Sequence, residues 1–386
     1  MKAVSNSCTA CGLCVTRCPK SAIVLIENRR REMVAQIDTE SCVNCGLCLK
    51  LCPETNDVEC KRPLKCYAAW TKYVDDYKST SSGGIATVLS KWYIKNDGSV
   101  YGAEFLPTGT VAHGRKNTYE GVERLKGSKY VQSNFRIIYD ELDNDIRCGN
   151  QIAIIGTPCQ IAAVKAMYNS KELENVLLID LVCHGVPPAY YFEDYLKSIL
   201  VSNFDNLEIG FRKKDYILNI GNEDHLIYCK KYQIDPYYRS FMYGLIFREN
   251  CYNCKYAKPE RVSDITLCDF WGLNKKTLTI DNPPKYVSCI LINSKKGWSV
   301  FDKCKYEMEV EERDIKEALA GNYNLNHPSN KHKDRDVFIA GIADGLPFID
   351  AVNCTSIKKE IMKENVMEVL KTPYRKVRYG TGGGTR

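Results

Sequence analysis

No stretch of this sequence is apolar for anything near the roughly 18 residues that a membrane-spanning helix needs. The opening Met-Lys-Ala-Val-Ser-Asn-Ser-Cys lacks the apolar core of a secretory signal. Together these absences predict a chain that stays in the cytoplasm. The remaining totals are ordinary, with 44% hydrophobic and 26% charged residues over 386 positions. They describe a globular protein long enough for two or three domains. Cysteine is the exception, with twenty copies. A reducing compartment argues against disulfides, and the spacings are those of metal ligands.

Residues 8 to 18 read Cys-x-x-Cys-x-x-Cys-x-x-x-Cys-Pro, and residues 42 to 52 repeat the pattern 34 residues later. Tight loops let three thiolates reach one iron–sulfur cubane, and the fourth cysteine, before proline, crosses to the other cluster. Cys8, Cys11, Cys14 and Cys52 are therefore the predicted ligands of one 4Fe-4S cluster, and Cys42, Cys45, Cys48 and Cys18 of a second. Zinc sites do not use this doubled pattern. The short β-type runs 22–26 and 33–37 complete an α+β ferredoxin-like module over residues 1–60. The formal net charge of +7 invites a nucleic-acid reading. Three clusters at about −2 each would reduce it to about +1, so the balance reads as compensation for cofactor charge. Arg29-Arg-Arg31 reads as a solvated turn.

Residues 54–66 are polar and read as a linker, with Cys60 and Cys66 structural. Beyond them the pattern predicts an α/β domain with a mixed, partly parallel sheet. Strands are expected at 66–70, 99–105, 110–114, 151–156, 176–182, 207–211, 225–230, 261–267 and 287–293. Helices are expected at 85–92, 135–142, 158–168, 189–200, 236–247 and from Trp298. Ser79-Thr-Ser-Ser-Gly-Gly84 precedes the first helix. There Ser81, Ser82, Gly83 and Gly84 suit a phosphate at a helix N-terminus, although such residues also make plain caps and turns. Lys126-Gly-Ser-Lys-Tyr-Val-Gln-Ser133 suits a phosphate or a planar ring, and equally a surface loop. The aromatics of 236–247 read as packing.

The centre of the chain is the strand-helix-strand pattern of residues 151–185, with Thr157 as N-cap and Pro158 at the first helical position. Its two strands should be parallel. Cys159 and Cys183 then stand just past their carboxyl ends, where open α/β sheets hold ligands. Cys251 and Cys254 supply a Cys-x-x-Cys. The four suit a third 4Fe-4S cluster, and by spacing alone they also suit zinc. A helix N-terminus beside Cys159 predicts a lowered thiol pKa. His184 is a candidate proton donor or a structural histidine. Cys148, Cys229, Cys289, Cys304 and Cys354 read as packing or free thiols.

From Ser5 to about residue 345 the sequence resembles the coenzyme F420 hydrogenase/dehydrogenase beta-subunit family, with an N-terminal two-cluster ferredoxin domain. The resemblance rests on Ser81-Ser-Gly-Gly84, Lys126–Ser133, Gly156-Thr-Pro-Cys-Gln160, Asp180-Leu-Val-Cys-His-Gly185, Cys251-Tyr-Asn-Cys254 and Arg261–Gly272. It implies an FAD- and 4Fe-4S-binding domain over 66–345, followed by a charged helical tail over 346–386 whose Gly/Thr-rich end should be disordered. It also implies electron passage between ferredoxin clusters, the rim cluster, FAD and a two-electron partner. Ser81–Gly84 become candidates for the FAD pyrophosphate. Lys126, Ser128, Lys129, Tyr130, Gln132 and Thr157 become candidate flavin contacts, and His184 and Lys129 the candidate catalytic residues. Residue 268 is Cys where relatives usually have Gly.

The expected activity is a flavin-dependent iron–sulfur oxidoreductase linked to F420 or reduced ferredoxin. The alternative is an electron-transfer subunit feeding a partner enzyme, for example in a polysaccharide or cofactor pathway. No nucleic acid or membrane span is expected.

Overall fold

The computed structural model describes residues 2–5, 7–200, 206–212, 215–222 and 225–379. The expected disorder of residues 380–386 lies outside them. The N-terminal sheet has β1 (Lys2–Ala3), β2 (Ile23–Glu27) and β3 (Met33–Ile37) in the antiparallel order β1-β3-β2. Each cysteine repeat enters a short helix, Leu13–Thr16 or Leu47–Leu51, through a left-handed glycine, Gly12 or Gly46. Two residues earlier, Ala10 (φ 56°) and Asn44 (φ 55°) are left-handed as well. The two loops therefore share one backbone path at the 34-residue offset. A left-handed residue with a Cβ costs about 1–2 kcal/mol, and here the loop turns backbone N–H groups toward sulfur. The Ala10 N–H reaches Cys8 Sγ at 3.4 Å and that of Asn44 reaches Cys42 Sγ at 3.4 Å.

Then follow β4 (Lys65–Thr71), β5 (Ser99–Phe105), β6 (Val111–Lys116), β7 (Ile152–Gly156) and β8 (Val176–Leu181). After them come β9 (Glu208–Gly210), β10 (Ile217–Gly221), β11 (Leu226–Lys231), β12 (Ile265–Asp269), β13 (Ser288–Ile292) and β14 (Met308–Arg313). The main sheet has the order β14-β4-β13-β12-β8-β7-β5-β6. Its four inner strands, β12, β8, β7 and β5, run parallel, and the flanking pairs are antiparallel. The expected parallel pairing of β7 with β8 is present, in the register Gly156 opposite Asp180. A small antiparallel sheet, β11-β10-β9, stands apart.

Several elements differ from the sequence reading. β10, the centre of the small sheet, carries no strong alternation. β14 is an element the sequence reading did not place: Glu309, Glu311 and Glu312 lie on an edge strand where charge is tolerated. The helix Pro236–Met242 ends well before Phe247 because Gly244 turns left-handed. Strand β12 begins at Ile265 rather than Arg261, since Arg261, Ser263 and Asp264 direct their side chains into buried hydrogen bonds.

The aromatic residues of 236–247 do pack. Tyr237, Tyr238 and Phe241 join Tyr191, Phe192, Tyr195 and Phe211 in one buried cluster. Phe348, Ala351, Val352 and Ile357, from the beginning of the C-terminal segment, belong to the same core. The two halves of the chain are tied by Arg248, whose side chain is almost fully buried. Its guanidinium donates to Gln132 Oε1 (2.8 Å), Cys8 O (2.8 Å) and Met33 O (2.9 Å).

Candidate functional site

The carboxyl ends of β7 and β8 carry the rim. Thr157 leads into the helix Pro158–Met167, with its N–H bonded to Gln160 Oε1 at 2.9 Å. Cys159 lies in the first turn of that helix, and Cys183 follows β8 by two residues. Arg248 ends the aromatic segment and begins the turn that holds Cys251 and Cys254. The four thiols lie close enough to act on one another: Cys183 feels Cys251, Cys159 and Cys254. Burial first, then this mutual repulsion, pushes Cys183 well up. Burial likewise pushes Cys251 up to about 11 and Cys159 up to about 12. The expected lowering at Cys159 is therefore overturned. The Thr157 hydroxyl does favour its thiolate, but desolvation outweighs that contact.

The same logic groups the N-terminal cysteines. Cys11 feels Cys14, Cys8 and Cys52, which is the expected first set. Cys18, Cys42, Cys45 and Cys48, the expected second set, line one small cavity of about 30 Å³. Burial pushes Cys14 up to about 12. Among the described residues no three His, Cys, Asp or Glu side chains converge tightly enough to hold a single metal ion. A lone zinc draws its sulfurs to about 2.3 Å from one point, whereas a cubane receives its thiolates on separate irons. Each set holds four thiols, the ligand number that a cubane takes. Backbone N–H groups also bond the sulfurs of Cys18 (3.3 Å, from Ala22) and Cys183 (3.4 Å, from Gly185).

A cavity of about 360 Å³ opens beside the rim, within the usual range for small-molecule sites. It collects residues from distant parts of the chain. Cys159, Cys183 and His184 line it, as do Ser81, Ser82, Gly84, Lys126, Ser128, Lys129, Tyr130, Gln132 and Thr157. The loop Thr9-Ala10-Cys11 of the first cysteine repeat lines it too. Gly83, Cys251 and Cys254 do not.

Gly83 instead locks the turn to the sheet. Its carbonyl accepts the Thr71 N–H at 2.7 Å and its N–H donates to Ser288 Oγ at 3.0 Å. A Cβ there would stand 2.4 Å from Ala69 O. Gly84 (φ 82°) caps the helix Ile85–Lys95 without a side chain, leaving that helix's first N–H groups free of a side-chain acceptor. Ser81 Oγ accepts from both the N–H (2.9 Å) and the hydroxyl (3.0 Å) of Ser128, so the two motif loops are bound together.

The basic residues at the cavity are already engaged. Lys126 Nζ contacts Asp76 Oδ1 (2.8 Å), Glu123 Oε2 (2.6 Å) and Ser79 Oγ (3.0 Å). Lys129 Nζ donates to the Leu125 and Lys126 carbonyls, both at 2.7 Å, at the end of the helix Tyr119–Leu125. Burial pulls the Lys129 ammonium down to about 7, against the opposing pull of Glu104. Gln132 spans Thr9 O (3.1 Å) and Arg248. Tyr130 stacks on Phe241 at 4.2 Å between ring centres. Burial lowers His184, with Asp269 opposing and Arg212 adding to that shift.

Residues 149–318 match the family described as the C terminus of the beta subunit of coenzyme F420 hydrogenase/dehydrogenase. Residues 7–56 match the 4Fe-4S dicluster domain. Over those residues the chain is similar to the beta subunit of F420 hydrogenase/dehydrogenase, joined to an N-terminal segment similar to a 4Fe-4S dicluster domain. Among solved structures, a chain of the F420-reducing NiFe hydrogenase complex from Methanosarcina barkeri, studied by xenon derivatization, is 16% identical. The match covers 76% of this chain and 91% of that one, with a TM-score of 0.46. The curated proteins contain no match. Among the described residues no helix is long and apolar enough to cross a membrane.

Three cavity residues escaped the sequence reading. Arg212 Nη1 donates to Asp269 Oδ2 at 2.6 Å, and both residues line the cavity. Asp269 stood inside a quoted motif, but nothing local marked Arg212. His113, 2% exposed, bonds the Ile155 carbonyl through Nε2–H at 3.1 Å. Its Nδ1, Arg212 Nη2 and Asp269 Oδ1 have no partner among the described residues. Buried polar atoms of this kind at a cavity wall suit hydrogen bonds to a small-molecule ligand.

Proposed function

We propose that this chain is an iron–sulfur flavoprotein oxidoreductase. It passes electrons between ferredoxin-type clusters and FAD, with hydride exchange to coenzyme F420 or another small two-electron substrate. The observation that supports this reading is the shared cavity: the Thr9–Cys11 loop and the Cys159 and Cys183 rim border one space with both candidate cofactor loops. Cys8, Cys11, Cys14 and Cys52 hold one cluster. Cys18, Cys42, Cys45 and Cys48 hold another, and Cys159, Cys183, Cys251 and Cys254 a third. A flavin supplies the conversion between single-electron and hydride chemistry.

The residues around that space have separable tasks. The Ser81–Gly84 turn and the first N–H groups of the Ile85–Lys95 helix suit an anionic pyrophosphate. Lys126 is committed to Asp76, so it fixes the loop rather than serving as a free cation. Tyr130 and Phe241 supply an apolar wall that excludes water. Arg212 and Asp269 anchor a polar substrate, and His184, which feels both, holds the exchangeable proton. Lys129 positions its loop through carbonyl contacts.

A second reading, electron transfer to or from a separate protein, is favoured by the second cysteine repeat. Cys45, Val43 and Leu49 are exposed there, so a cluster on that side is open to an external donor such as reduced ferredoxin.

The deciding experiment is the visible spectrum of anaerobically purified protein, with iron, zinc and flavin assays. About twelve irons and one FAD are expected. Bleaching by reduced F420 but not by reduced ferredoxin, or the reverse, names the partner. About eight irons with bound zinc and no flavin would overturn the proposal.

A further inference from the structure

Three cysteines outside the cluster sets meet on neighbouring strands of the main sheet. Cys268 on β12 stands directly opposite Cys289 on β13. Cys66 on β4 is opposite Leu291, one step diagonal to Cys289. The Cys66 and Cys289 sulfurs are 3.7 Å apart, and Cys268 is close enough to act on the Cys289 thiol. Cys66 and Cys289 are fully buried. Cys268 is half-buried and lines the large cavity. The row therefore runs from the cavity wall into the sheet.

Strand geometry decides which pair can bond. Directly opposite residues of an antiparallel pair have Cα atoms about 4.5–5.5 Å apart, inside the roughly 4.4–6.8 Å range of disulfides. Diagonal neighbours are about 7–8 Å apart, outside it. Cys268 and Cys289 satisfy the requirement without backbone movement, whereas Cys66 and Cys289 do not, although their sulfurs touch.

We propose that Cys268 and Cys289 form a dithiol/disulfide couple at the cavity wall, open to small disulfides that enter the cavity. The step is ordinary thiol–disulfide exchange. Cys268, as thiolate, attacks one sulfur of the small disulfide, forming a mixed disulfide and releasing one thiol. Cys289 loses its proton and attacks the Cys268 sulfur, closing the protein disulfide and releasing the second thiol. The protein gives up two electrons and two protons, and the small disulfide takes up both. Cys268 must react first because Cys289 is sealed from solvent. The couple places a two-electron store in the wall of the cavity.

The test uses the anaerobically purified holoprotein, with its clusters, equilibrated with oxidised glutathione, acid-quenched, alkylated and digested with trypsin. Cleavage at lysine and arginine places Cys66, Cys268 and Cys289 in separate peptides, 66–72, 262–275 and 286–295, each with a single cysteine. The expected product joins 262–275 to 286–295, two hydrogens lighter than their sum, and disappears after dithiothreitol. Cys289→Ser should halt the exchange at a glutathione adduct on Cys268, and Cys66→Ser should leave the linked product unchanged. Recovery of Cys268 and Cys289 as alkylated thiols from folded wild-type protein would overturn the proposal. So would a link between Cys66 and Cys289. The peptide map of the wild-type chain, recorded on protein stripped of any bound flavin, decides even where a variant fails to fold.

Discussion

Asp180 and Arg261 form an ion pair 2.8 Å long, with side chains 0% and 1% exposed. Asp180 is three residues before Cys183, and Arg261 precedes β12, so the pair ties the carboxyl end of β8 to the segment that leads into its parallel neighbour β12. Both charges are well hydrogen-bonded: Asp180 also accepts from Ser263 Oγ (2.9 Å) and Thr266 Oγ1 (2.5 Å). Arg261 also donates to Tyr256 O (3.1 Å). Removing one partner leaves a buried, uncompensated charge.

Arg261→Met should therefore destabilise the protein by about 3–5 kcal/mol. Urea unfolding measures the loss. The double variant Asp180→Leu with Arg261→Met should recover much of it, because the stranded charge is gone. If the single variant unfolds at the wild-type midpoint, the clamp does not matter to stability.

Arg248→Ala should loosen the N-terminal module from the rest of the chain. Three acceptors, Gln132 Oε1, Cys8 O and Met33 O, lose their donor, and Glu32 loses the cation that helps hold its carboxyl below the usual range. Charge-assisted bonds contribute about 1.5–3 kcal/mol each, though not additively. Limited proteolysis should cut faster between residues 53 and 64, and unchanged cleavage would contradict this reading of Arg248.

His113 makes stability depend on pH. Burial pushes its pKa down to about 4 from an ordinary value near 6.5. Between those values the unfolded chain binds more protons than the folded one, so stability falls as pH drops from about 6.5 toward 4. His113→Phe should flatten that limb of the stability curve. Equal slopes for the two proteins would exclude His113 as the cause.

Iron counts separate the thiol sets. Cys159→Ala and Cys251→Ala should each remove about four irons and leave about eight, while Cys18→Ala should spare the rim set. Identical losses from all three variants would mean general unfolding rather than loss of one cluster.

Chemistry that needs neighbouring residues was legible along the chain. The doubled cysteine spacing predicted which thiols share a set, because a cubane needs three ligands from one tight loop and a fourth from the other repeat. The apolar runs around Thr157 and Pro158 predicted a strand, a helix and a parallel strand, since those periodicities and caps are local. The edge strand β14 and the central strand β10 were missed, because an edge of glutamates looks like surface and the short Ile-Leu-Asn-Ile-Gly run shows no clean alternation.

The meeting of these parts was decided only by tertiary structure. Nothing in the sequence placed Thr9–Cys11 against the same cavity as Cys183, or paired Arg212 with Asp269 across 57 residues. Nothing showed that Lys126 and Lys129, apparent free cations in a polar loop, have their ammonium groups engaged by Asp76 and by helix carbonyls. The same holds for Cys159: a helix N-terminus lowers a thiol's pKa, but how deeply the thiol is buried depends on everything packed around it. Local pattern determined which groups could bind metal. The desolvation and partners that set their behaviour arise from contacts between residues far apart in the chain.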